Sequence, residues 1–402
     1  MSDEFTTFDQ RAVIKVCGIG GGGGNAVGRM IEAGMKDVEF ITINTDAQVL
    51  RHSPAGTRLQ IGIQITGGLG SGAKPEIGQK AALEDRERIA EVLRGADMVF
   101  LTAGLGGGTG TGATPIVAEV ARSTGALTVG IVTLPFSFEG NERMLNAQRG
   151  LAGLEEQVDA LIVVPNDRVA ALCQHSNMSF LNAFRQADEV LHNGVRAISE
   201  VITVPGLINV DFADVRTIMQ TRGRTLMGIG SAEGEQRAVR AASEAIVCPL
   251  LDQSSIDGAK GVIVNIKGGC DLAMREVLDA VTTVKKAAHP DANIIFGAVV
   301  DEAERPELQV TVIAAGFQRT ATESAGSFEM PEEASAEPTK EEARMAVQPM
   351  AELPARPAAA QVQYLFPEED VPAIQPVASY PPSDPDEDLG IPAFMRKRKK
   401  KA

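Results

Sequence analysis

The stretch that most limits what this chain can fold into is Gly104-Leu105-Gly106-Gly107-Gly108-Thr109-Gly110-Thr111-Gly112, with six glycines in nine residues. Before it, Asp97-Met98-Val99-Phe100-Leu101-Thr102-Ala103 is short, apolar and β-prone. After it, Thr114 to Arg122 opens with Pro115 as a helix-start signal and continues with helical periodicity. The glycines therefore read as a strand-to-helix loop. Such a backbone can take positive φ and approach a ligand closely, aiming unpaired N–H groups and a helix dipole at it. That chemistry favours an anion, phosphate above all, whereas a plain turn has no need of six glycines.

The same arrangement occurs earlier in the chain. Ala12 to Gly18 reads as a strand running into Gly20-Gly21-Gly22-Gly23-Gly24-Asn25 and a helix over Ala26 to Gly34. Gly18, Gly20 and Gly23 satisfy the GxGxxG dinucleotide fingerprint, although any five-glycine run does so. No Gly-Lys-Ser/Thr occurs, which argues against a P-loop kinase or ATPase. Val38 to Ile43 is a second strand ending in Asn44-Thr45-Asp46, and a third glycine-rich loop, Thr66 to Pro75, precedes a helix over Glu76 to Arg94. Leu127 to Thr133 and Ala160 to Pro165 are further strands, near-continuously apolar as buried parallel strands are. The alternation predicts an α/β fold with a doubly wound parallel sheet. All three glycine loops fall at the carboxyl ends of its strands, where such sheets bind ligands.

A chain of 402 residues suits two domains and a tail. The net charge of −15 argues against nucleic-acid binding, which wants a basic face. Cys17, Cys173, Cys248 and Cys270 lack paired spacing and read as free thiols of a reducing cytosol. The four histidines lack ligand spacing, so no zinc site is expected. With no run near 18 apolar residues and Met1-Ser2-Asp3-Glu4 at the start, the sequence reads as soluble and cytoplasmic.

From Ser179 to Val201 one helical stretch has no internal proline and would span roughly 35 Å. Phe184 and Asp188 lie four apart on one face. A ring that stacks on a base beside a carboxylate that accepts guanine N–H groups is one reading; a core phenylalanine and a solvated aspartate is the other, and spacing alone favours the second. Asp211 and Asp214, in Asn209-Val210-Asp211-Phe212-Ala213-Asp214, can cap the next helix or polarise an attacking water. From Thr225 to Phe317 strands and helices alternate as a compact mixed sheet with no chemical constellation of its own.

Gly106 to Gly112, read as GGGTGTG, resembles the signature of the tubulin/FtsZ family. Gly20 to Asn25, Asn44-Thr45-Asp46, Pro165-Asn166-Asp167-Arg168 and Asn209 to Asp214 are similar to that family's loops, in order, over about residues 12 to 317. The resemblance implies a flexible N-terminus (1–11), a GTP-binding domain (12–178), a core helix (179–203) and a smaller α/β C-terminal domain (204–317) with a catalytic loop at 207–214. It implies GTP hydrolysis coupled to head-to-tail assembly into the filaments of a bacterial division ring, on the inner face of the membrane at mid-cell. Gly21, Gly22, Gly23, Gly24, Asn25, Asn44, Gly72, Ala73, Gly104, Gly106, Gly107, Gly108, Thr109 and Gly110 would line the phosphate side, Glu139 and Arg143 the ribose. Asn166, Phe184 and Asp188 would hold guanine. Asn209, Asp211 and Asp214 would act on the neighbouring subunit's GTP. Such a site uses backbone N–H groups without a dedicated lysine; Mg²⁺ would enter with the GTP or GDP phosphates rather than on side chains, and a monovalent cation can accompany it.

Beyond Phe317 lie 12 of the 21 prolines and both tyrosines, the composition of a disordered linker (318–385). Asp386 to Met395 is similar to the family's tail peptide that docks on membrane-tethering and regulatory division proteins, so contact with the membrane would be indirect. Arg396 to Lys401 adds six basic residues that suit anionic lipid, the acidic linker or plain solubility. The chain departs from the family at Lys74, where asparagine is usual, at Gly390, and at Arg222 and Arg224. An NAD-dependent oxidoreductase would need an acidic residue closing the second strand, but Glu39 sits early and Asp46 late. A nucleotide-binding scaffold without hydrolysis would have no use for Asp211 and Asp214.

Overall fold

The computed structural model describes residues 12–172, 180–203, 211–220, 224–248, 256, 258–300 and 306–317. The expected N-terminal segment, linker and tail peptide, with Asn209, Arg222 and Cys173, lie outside them. The chain runs through β1 (Ile14–Ile19), α1 (Gly20–Glu32), β2 (Glu39–Asn44), α2 (Ala47–Arg51), β3 (Thr57–Gln60), α3 (Ile63–Thr66), α4 (Pro75–Glu84) and α5 (Arg86–Leu93). It continues through β4 (Met98–Gly104), α6 (Thr109–Ser123), β5 (Leu127–Leu134), α7 (Asn141–Glu155), β6 (Ala160–Pro165), α8 (Asn166–Leu172) and the long α9 (Phe180–Thr203). The rest comprises α10 (Phe212–Met219), β7 (Arg224–Glu233), α11 (Arg237–Ile246), β8 (Gly261–Gly268), α12 (Met274–Ala287), β9 (Asn293–Val300) and β10 (Glu307–Ala315).

Strands β3-β2-β1-β4-β5-β6 are all parallel, in the order of a doubly wound sheet. Successive side chains point to opposite faces. Ile14, Val16, Phe100 and Val129 thus join the apolar cluster that includes Val27 of α1 and Val190 and Leu191 of α9, while Cys17, Ile19, Val99 and Leu101 join that of α4 and α6. The sheet continues as β7-β10-β8-β9, with β10 antiparallel to both its neighbours. α9 lies between the two halves: the space at Gly194 is bounded by Ile131 of β5 and Met227 of β7, and Val201 packs against Gly297 of β9.

Three element boundaries differ from the sequence expectation. The glycines expected to form a loop before α1 are its first turn, because a Cβ at Gly18 would sit 2.3 Å from Gly23 O and one at Gly23 would sit 2.2 Å from Thr102 O. Close packing of α1 on the sheet overrides glycine's poor helix propensity. Pro115 does not open α6 but lies inside it, since the helix already starts at Thr109. The expected single helix over Glu76 to Arg94 breaks at Asp85, whose nearly buried carboxylate accepts hydrogen bonds from Gly62 N at 2.7 Å and Arg88 Nη1 at 2.6 Å.

Candidate functional site

A cavity of about 350 Å³ opens at the carboxyl ends of β1, β2, β4, β5 and β6 and against one side of α9. That volume falls in the range of small-molecule sites, about 300–1,000 Å³. Two long helices, α1 and α6, begin at its wall, and neither carries a side-chain cap. Their first-turn N–H groups and positive dipole ends therefore remain available to an anion. From α1 the cavity takes Gly21, Gly22 and Asn25, and from the β4–α6 connection Gly104, Gly107, Gly108, Thr109 and Gly110. Gly72 and Ala73 come from the loop before α4, and Asn44 from the end of β2.

Gly23, Gly24 and Gly106 do not line it. Gly23 and Gly24 are buried against Thr102 and Thr42, and Gly106, at φ +100°, turns the chain beside the Arg143 backbone. They serve close packing and the turn. Lining residues that sequence reasoning did not assign to the site include Asp46, Gly70, Ser71, Thr133 and Pro135. Ser71 stood unnoticed among glycines.

At the far end, Asn166, Phe184 and Asp188 converge although they come from two different helices, α8 and α9. The Asn166 Oδ1 atom is buried and, among the described residues, lacks a hydrogen-bond partner, which leaves it able to accept from a ligand in the cavity it lines. Phe184 meets Phe136 edge-on at 5.1 Å, and Phe136 stacks on Phe138 at 4.9 Å. Asp188 Oδ2 accepts from Arg29 Nε at 2.9 Å, which leaves its other oxygen for a donor in the cavity. Burial pushes the Asp188 carboxyl up to about 6, with Arg29 pulling the other way. Arg29 was not foreseen; it lies 159 positions from Asp188.

Glu139 and Arg143, four residues apart and both lining the cavity, form an ion pair. Among the described residues, each of the three lining carboxylates has a partner: Glu139 has Arg143, Asp188 has Arg29, and Asp46 has Gln48 N and Val49 N at the start of α2. Among the described residues, Arg143 is the one Lys or Arg lining the cavity. A polyphosphate would therefore rest mainly on backbone N–H groups and arrive with a cation, which fits a Mg²⁺-bound nucleotide. Among the described residues, no three His, Cys, Asp or Glu side chains cluster as a metal site.

Asp211 and Asp214 do not line this cavity. Asp211 occupies the N-cap position of α10, yet its side chain makes no capping bond. Asp214 lies in the first turn, and both are exposed.

The family profile described as "Tubulin/FtsZ family, GTPase domain" matches residues 13–174, and "FtsZ family, C-terminal domain" matches 223–318. A solved structure titled "FtsZ dimer, empty (M. jannaschii)" is 44% identical, covering 76% of this chain and 89% of that one, with a TM-score of 0.73. The chain belongs to the FtsZ family. A second M. jannaschii FtsZ structure, that of a point mutant, is 43% identical over 77% of this chain and 92% of that one, at TM-score 0.73. "CetZ2 from Haloferax volcanii - GTPgS bound protofilament" is 23% identical over 78% of this chain and 96% of that one; its TM-score of 0.65 shows a shared fold. The FtsZ chain carries the family's GTPase domain, and guanine-nucleotide binding comes with that membership. Among the described residues, no helix is long and apolar enough to cross a membrane.

Proposed function

We propose that this FtsZ chain is an assembly-dependent GTPase that polymerises head to tail into the filaments of a bacterial division ring at mid-cell. GTP or GDP occupies the cavity. The α1 and α6 starts and Gly72–Ala73 hold the phosphates, Glu139 and Arg143 face the ribose, and Asn166, Phe184 and Asp188 hold guanine. The nucleotide's Mg²⁺ supplies countercharge for the phosphates. Asn209, Asp211 and Asp214 of one subunit orient the attacking water at the GTP of the next. The tail 386–395 recruits membrane-tethering and regulatory division proteins.

One observation carries the shared-site reading. Among the described residues, the three carboxylates lining the cavity each hold a partner through at least one oxygen, whereas Asp211, which makes no capping bond, and Asp214 are exposed and outside the chain's own cavity. The M. jannaschii relative titled a dimer and the Haloferax volcanii relative titled a protofilament support self-association. The test is phosphate release from GTP and from ATP, measured against protein concentration. Specific activity with GTP should rise with concentration, and release from ATP should be far slower. Equal rates for the two nucleotides would overturn the guanine assignment; a flat profile would overturn assembly dependence.

A further inference from the structure

Three hydroxyls form a chain at the wall of the cavity. Thr45 Oγ1 lies 2.7 Å from Thr109 Oγ1, which lies 3.0 Å from Ser71 Oγ. Thr45 is 0% exposed, and Thr109 and Ser71 are each 7% exposed. The three belong to separate segments: the residue just after β2, the loop before α4, and the first residue of α6.

Three hydroxyls have three protons, but two contacts use two of them. The surplus proton cannot sit well on Thr45, whose hydroxyl meets no other partner among the described residues and is sealed from water. A buried donor left unmade is costly, so Thr45 donates to Thr109. The surplus donor then belongs to Thr109 or Ser71, and both line the cavity. An anionic oxygen also accepts more strongly than a neutral hydroxyl, and so competes for the proton shared in the 3.0 Å contact.

We infer that Ser71 is a phosphate-binding side chain, turning its O–H from Thr109 to a phosphate oxygen while Thr45 keeps Thr109 oriented toward the same group. Thr45 is a positioning residue, since it donates to Thr109 and does not line the cavity. This inference rests on the guanine-nucleotide reading of the cavity. It adds a side-chain contact within a loop whose glycines suggest backbone contacts alone.

The experiment is equilibrium binding of GTP and of guanosine, which lacks phosphate, to the full chain and to Ser71→Ala and Thr45→Val. Ser71→Ala should weaken GTP by about tenfold or more, the size of one charge-assisted hydrogen bond, and leave guanosine unchanged. Thr45→Val should weaken GTP less, in the same direction. Ser71→Cys keeps the shape with a weak donor and should reproduce the selective loss. An unchanged GTP-to-guanosine ratio in Ser71→Ala, or an equal loss of both ligands in Ser71→Ala and Ser71→Cys, overturns the inference. Failure of the wild-type chain to bind GTP would overturn the nucleotide reading instead.

Discussion

Arg29 and Asp188 join the first helix of the nucleotide-binding sheet to the long helix α9, with Nε 2.9 Å from Oδ2. The pair places a positive charge behind the end of the cavity proposed to hold the base, so that a carboxylate only 15% exposed stays able to ionise near neutrality. Because folding raises the Asp188 pKa, the folded state holds the extra proton between about pH 4 and pH 6. Its share of stability is largest below pH 4 and falls as pH rises through that window.

Ligand affinity should run the opposite way. A guanine edge donates N–H groups and requires the ionised carboxylate. GTP affinity should therefore be nearly flat above pH 6 and fall toward tenfold per unit below it. Titration of GTP binding from pH 7.5 to 5 checks this, and Asp188→Asn should bind weakly with no such slope.

Arg216 ties the helix that carries the proposed catalytic aspartates to the nucleotide-binding domain. Its Nη2 donates to Gly125 O at 2.9 Å, just past the end of α6, and its guanidinium lies 5.4 Å from the Phe212 ring. On the same helix Ile218 packs against Gly261 of β8. Arg216→Ala should leave GTP binding intact and slow phosphate release several-fold by loosening Asp211 and Asp214. Paired binding and turnover measurements separate the two effects.

Arg237 is 6% exposed and holds Glu276 through Nε at 2.7 Å, Asp271 at 2.9 Å and Pro306 O at 3.0 Å. Hydrogen bonding from Arg237 lowers the Glu276 pKa. That contribution is present above about pH 4 and is lost as pH falls through the lowered folded value. Arg237→Leu should cost about 2 kcal/mol, below the usual cost of breaking a buried pair because the carboxylates can reach water. Urea unfolding at pH 7 and at pH 3.5 should show a smaller difference between variant and wild type at the lower pH.

Gly112 lies where α6 crosses α4. A Cβ there would sit 1.9 Å from Pro75 O, and one at Gly78 would sit 2.4 Å from Gly108 O. Gly112→Ala should destabilise the protein by about 1–3 kcal/mol and weaken GTP binding, since α4 must move away from the start of α6. Thermal unfolding and nucleotide titration test both parts.

Much of this was legible in residue order, for reasons that mark where reading stops. Parallel strands buried on both faces, such as Leu127 to Leu134, announce themselves as apolar runs. β3 escaped notice because Thr57 and Arg58 are exposed at the sheet edge and leave no such run. Glycine marked segments that line the cavity, yet could not show that Gly20 to Gly24 form the first turn of α1, because that depends on backbone approach across the sheet. Local spacing put Phe184 and Asp188 on one face. It could not supply Arg29, which meets Asp188 only after α1 and α9 pack. Spacing also left capping open for Asp211, and the N-cap without a side-chain bond settles that geometry.

If one subunit's aspartates act on the next subunit's nucleotide, two differently defective proteins should rescue each other. Mixing them tests this most directly: Asp214→Ala, with an intact cavity, and Asp188→Ala, with intact aspartates. Each alone should release phosphate slowly, and the mixture should turn over GTP well above the sum of the two. A mixture no faster than that sum, with co-assembly verified by sedimentation, would contradict a site shared between subunits.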